Sequence, residues 1–224
     1  MPSAARKAFD SNMNDIEQLI DYYDTAEAIF KDTKQDIPAG ADVVLRAAFV
    51  LLITYWEAYL EDVVSEALDH LVAHTRDPAE LPKELKQAVA KEIKTDQHEL
   101  SPWKLAGEGW RDILKARLPQ MQEGRDRRFN TPKSAQTRDF IRAALGIADI
   151  TCCWKVDAKS PEVSSQWLDR NVRIRGKIVH RGKLSKPVSV RVIKAVTDFT
   201  KTLVAKTDDN INVELAKVTQ KSLW

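Results

Sequence analysis

Residues 47–64 read AAFVLLITYWEAYLEDVV, and the reading of this stretch decides the fold class. Apolar side chains fall on nearly every side of a helical projection, which predicts a helix with neighbours all round rather than one lying on a surface. The strict alternation of a half-buried strand is absent. Outward from this centre, the helix is expected to run from about Asp42 to about His74. Upstream, Phe9, Met13, Ile16, Leu19, Ile20, Tyr23, Ala26 and Phe30 recur at three- and four-residue steps. They predict a helix from Ala4 to about Lys34, ended by Ile37-Pro38-Ala39-Gly40.

Downstream, Asp77-Pro78 and Leu81-Pro82 punctuate the chain, and a short helix is expected over about Lys83 to Lys94. Ser101-Pro102-Trp103 reads as a helix start, with the run stopping at Pro119. A further helix is expected from Ser134 to Asp149. Ser160-Pro161-Glu162 offers an N-cap and a first-turn proline for the next. A last helix is expected over Val188 to Lys206. Residues 207–224 are set apart as a tail that docks as a helix or frays, leaving 1–206 as one helical domain.

Composition agrees with helices. Hydrophobic residues make up 43% and charged residues 30% of 224, as in an ordinary globular chain, and seven glycines are too few for a turn-rich β-sandwich. Cys152 and Cys153 are adjacent and cannot form a disulfide framework. With no apolar signal core in the first ten residues, the chain reads as cytoplasmic. The longest apolar run, Ala47 to Trp56, is shorter than a bilayer crossing needs, so no membrane partner is expected.

The net charge of +2 conceals a strong asymmetry. Residues 1–100 carry 10 basic and 20 acidic side chains, whereas residues 170–206 carry 11 basic and one acidic, Asp198. Such a segment attracts a polyanion, RNA or DNA above all, or else it pairs with the acidic first half of the chain.

Chemistry-bearing motifs are few. There is no Walker loop, GxGxxG or GxSxG, no CxxC pair, and no zinc-finger or RRM signature. His70 and His74 share a helix face with Glu66, but HLVAH lacks the glutamate of HExxH, and no metal site or cofactor is expected. Glu57 sits inside the most apolar helix, where a carboxylate must be paired. An arginine or backbone groups can hold it structurally, or it can orient a catalytic arginine.

The segment WLDRNVRIRGKIVHRGK (167–183) places His180 five residues after Arg175. RNA can be cut without metal if a base takes the 2′-hydroxyl proton and a cation stabilises charge growing on the phosphate. Histidine suits the first task and arginine the second. On a straight helix the two side chains stand about 140° apart. They converge only if the helix ends or bends between them, with Gly176 the place for it, or if a two-fold dimer brings two copies together.

Four blocks in order resemble the RiboL-PSP-HEPN branch of the HEPN superfamily: TYWEAYLEDVV (54–64), FNTPKSAQT (129–137), LGIADITCCW (145–154) and LDRNVRIRGKIVHRGK (168–183), the last containing the R-x4-6-H signature. The resemblance implies an all-α HEPN-like bundle with a long central helix and a smaller helical insertion, commonly a homodimer. It also implies a metal-independent endoribonuclease of a microbial defence or toxin-type system, yielding 2′,3′-cyclic phosphate ends, with a cognate antitoxin or defence partner. Arg175 and His180 would be catalytic, Glu57 and Lys177 supporting. Arg170, Arg173, Arg181 and Lys183 would bind RNA. One departure is Gly176, where the superfamily usually carries a polar residue.

Two other readings use the same segment. It could bind RNA or an acidic partner without cutting, or it could be structural, with Leu168, Val172 and Val179 facing the core and the arginines neutralising the acidic first helices.

Overall fold

A computed structural model describes residues 1–32, 42–125, 132–182 and 187–224, with 118–125 described in backbone only, and the described residues form seven α-helices and three short 3-10 turns. The helices are α1 (Ala4–Asp32), α2 (Asp42–His74), α3 (Lys83–Thr95), α4 (Gly109–Arg125), α5 (Ser134–Leu145), α6 (Pro161–Arg181) and α7 (Val190–Thr219). The expected Ile37–Gly40 stop lies outside the described residues.

Helix α2 is the axis of the bundle and packs against α1, α4, α5, α6 and α7. Leu52, Trp56, Leu60, Val63 and Ala67 are fully buried along it. Trp56 stands edge-on to Trp154 at 6.1 Å and beside Tyr59 at 5.9 Å, and the indole N–H reaches the Pro132 carbonyl at 3.4 Å. Each of the leucines and the valine contributes about 1.5–3 kcal/mol by leaving water. An 18-residue window of α2 has a mean hydropathy of 1.6, and the helix is long and apolar enough to cross a bilayer by those measures. This corrects the expectation drawn from the ten-residue run, because the helix extends well beyond it. In the bundle α2 packs against five other helices, which bury part of that window.

Polar contacts set the directions of the outer helices. The Glu66 carboxylate accepts the Ala4 and Ala5 N–H groups at 3.2 Å, while the Tyr55 hydroxyl donates to Asp15 at 2.5 Å, so α1 runs antiparallel to α2. An anionic oxygen at a helix N-terminus satisfies orphan donors and suits the helix dipole. Glu66 therefore closes the start of α1, with His70 and His74 one and two turns further along α2. Those two rings lie 4.4 Å apart, and His70 Nε2 meets the Thr219 hydroxyl at 3.3 Å.

Four expected boundaries move. The expected start at Ser101-Pro102-Trp103 is a 3-10 turn over Ser101–Leu105, and α4 begins only at Gly109. Helix α4 continues through Pro119 to Arg125. A proline forfeits one backbone hydrogen bond and need not stop a helix whose other bonds persist. Helix α5 ends at Leu145, four residues early. There Gly146 adopts φ +75°, and a Cβ on it would lie 2.4 Å from the Pro82 Cβ, so only glycine lets the chain turn against the α2–α3 connection. Helix α7 runs unbroken past residue 206, burying Thr207, Asp208, Ile211 and Leu215. The division at 206 thus falls in mid-helix.

A basic outward face on helix α6

Helix α6 starts where Ser160 accepts the Val163 N–H at 3.4 Å and Pro161 fills the first turn, and it ends at Gly182, φ +69°. Between these points it passes through Gly176 without interruption, so Gly176 is neither an end nor a break. A Cβ there would meet nothing within 4 Å.

The continuous helix sorts its residues by face. Ser164, Leu168, Asn171, Val172 and Ile178 form the buried stripe. Val179, assigned to the core in the structural reading, is 51% exposed, and Ile178 takes the inward place. Steps of three and four from Leu168 reach both 178 and 179, so the spacing alone does not choose between them, and the packing at the end of α6 buries Ile178.

Arg175 belongs to this inward side. Its Nη2 lies 3.8 Å from Glu57 Oε2, with side-chain exposures of 19% and 17%. At that separation the contact is an ion pair rather than a hydrogen bond. Burial raises the pKa of Glu57, Arg175 counteracts the rise, and Glu61, one turn along α2, reinforces it. The carboxylate in the most apolar helix has thus found a guanidinium, as its burial required.

His180 lies elsewhere. It is exposed, as are Arg170, Arg173, Lys177 and Arg181. Lys183 lies outside the described residues. Arg173 Nε donates to the Asp169 carbonyl at 3.0 Å. Among the described residues no carboxylate comes within ion-pair distance of Arg170, Arg173, Lys177 or Arg181. Ion pairs of the basic segment among these residues include Arg175–Glu57 and Lys201–Glu17 at 3.2 Å. Its charge is therefore mostly turned to solvent, and those pairs neutralise little of the acidic half. Within one chain Arg175 and His180 are not brought together, since the straight helix keeps them about 140° apart.

Sequence reasoning passed over Asp208, which is fully buried in α7 and accepts the Ser3 N–H at 3.2 Å and the Ser3 hydroxyl. Its acidic place in a helical repeat resembles any exposed one, so nothing in the pattern flagged it. Among the described residues no three His, Cys, Asp or Glu side chains gather in a way that could hold a metal ion.

Fold and face together define a helical bundle with an unneutralised cationic helix that ends in an exposed histidine. A family model described as RiboL-PSP-HEPN matches residues 8–213, and the chain belongs to that family. No curated protein and no solved structure gives a match.

Proposed function

We propose that the protein is a metal-independent endoribonuclease of a microbial defence or toxin-type system, acting as a homodimer. The observation that carries this reading is the outward face of α6, where His180 stands beside cations that no carboxylate of the described chain neutralises. Family membership supports it, since HEPN proteins are commonly ribonuclease-like.

The chemistry needs one imidazole to take the 2′-hydroxyl proton. The freed oxygen then bonds to the adjacent phosphorus, and the bond from phosphorus to the 5′-oxygen breaks. That oxygen leaves with a proton from a second acid, for which the second copy's imidazole is the natural source. The product carries a 2′,3′-cyclic phosphate. Histidine serves both roles because its ordinary pKa lies near neutrality. Arg175 would hold the phosphate of the opposing site across the two-fold axis, for which its side chain must turn out from its pairing with Glu57.

RNA digestion by wild type and His180→Ala tests this. Wild type should cut in EDTA and leave cyclic phosphate ends. His180→Ala should lose about 10²–10⁴-fold while its oligomeric state and helix content persist. Cutting that EDTA stops, or normal cutting by His180→Ala, overturns the mechanism. The inward pairing of Arg175 with Glu57 favours a second reading, a module that binds RNA without cutting it. Binding without product under all conditions would establish that one.

A further inference from the structure

We propose that α6 carries a phosphate track in which Arg170, Arg173 and Lys177 hold successive phosphates of one RNA strand, with Lys177 acting as the cation at the linkage whose 2′-hydroxyl His180 deprotonates. The catalytic half rests on the nuclease reading. The track does not.

The geometry comes from the register. Arg170, Arg173, Lys177 and His180 follow one another at steps of three, four and three residues on an unbroken helix. At about 100° per residue they fall within an arc of about 80°, and at 1.5 Å per residue the row is about 15 Å long. Arg175 stands on the opposite side of the same helix, against Glu57. Neighbours in the row are one turn apart, about 5–6 Å between Cβ atoms. That rhythm matches a regularly spaced polyanion.

All three cations are exposed and lack carboxylate partners among the described residues, so no internal ion pair must break when a phosphate arrives. Two are arginines, which grip phosphate bidentately. No apolar side chain stands in the row. A protein partner would need such an anchor at the centre of its interface, which favours nucleic acid over an acidic protein.

Lys177 has a further task because it is the row's cation nearest His180. When the 2′-oxygen attacks, negative charge grows on the non-bridging phosphate oxygens, and an ammonium one turn from the imidazole can stabilise it. Arg175 of a second copy and Lys177 in the same chain would then address different oxygens of one phosphate.

The test uses the full chain in the His180→Ala background, binding a short fluorescent oligouridylate across a salt series. Replacing Arg170, Arg173 or Lys177 with Gln should each lower the slope of log affinity against log salt by about 0.7 and weaken binding about fivefold at about 0.1 M salt. The triple variant should lose about 2 from the slope. Lys7→Ala, a control on α1, should leave it unchanged. Equal losses from Lys7→Ala, unchanged slopes in the row variants, or binding of polyaspartate as tight as that of RNA would overturn the track.

In the otherwise wild-type chain at saturating RNA, Lys177→Gln should cut at least tenfold more slowly, and Lys177→Arg should restore most of the rate. Full-rate cutting by Lys177→Gln overturns its catalytic role while the track stands. Normal slopes with no cutting by wild type would sink the nuclease reading and leave the track intact.

Discussion

Gly176 sits in mid-helix beside Arg175, and its neighbourhood is empty of atoms that a methyl group would meet. Neither a turn nor a close approach demands glycine there. Glycine inside a helix costs about 0.5–1 kcal/mol relative to alanine through backbone entropy. Gly176→Ala should therefore stabilise the protein by about that amount, seen as a higher denaturation midpoint with an unchanged slope. A destabilised variant would mean that something packs on this face, with a second copy the first suspect. At the same scale, Glu57 shows how much one residue reveals. A carboxylate amid Leu52, Trp56 and Leu60 demanded a partner from sequence alone, but which arginine answers depended on how α6 lies across α2.

At the scale of elements, the starts of α6 and α7 were easier to read than the ends, whereas α4 starts eight residues beyond the expected Ser101. Ser160 and Ser189 cap α6 and α7 through their own hydroxyls, a purely local interaction. The end of α5 is not local. Apolar periodicity ran on toward Asp149, yet the chain turns at Gly146 because Pro82 stands against that point. Gly146→Ala combines a left-handed conformation, costing about 1–2 kcal/mol for a residue with a Cβ, with a 2.4 Å clash against the Pro82 ring. Chemical denaturation should show a loss of at least that size, opposite in sign to Gly176→Ala. An unchanged midpoint would mean that the turn at Pro82 relaxes freely.

At the scale of the molecule, the two ends of the chain are tied into the bundle. The start is held by Asp208 and Glu66. At the far end Gln220 reverses the chain in a left-handed conformation, and Asn212 accepts the Leu223 N–H at 2.9 Å. Lys221 Nζ then approaches His74 Nε2 at 3.5 Å, beside His70. Burial, then His74 and Lys221, lower the pKa of His70 below its ordinary 6.5. Between the folded and unfolded values the unfolded chain binds more protons, so this contribution is whole above 6.5 and is lost as pH falls. The melting temperature should drop on mild acidification, and His70→Gln should reduce the drop. An identical pH profile for His70→Gln would show that the histidine pair does not sense pH.

The sequence by itself determined the all-helical class, the central place of α2, the family and the basic segment around His180. Each follows from periodicity, from local capping or from residue order, which survive without knowledge of the neighbours. Only the tertiary structure decided which cations face out. It set Arg175 against Glu57 on one side of α6 and left Arg170, Arg173, Lys177 and His180 in a row on the other. The reason is physical: α6 must bury its apolar stripe on α2. That single rotation about its axis sorts the charges, which a one-dimensional spacing such as R-x4-H cannot do.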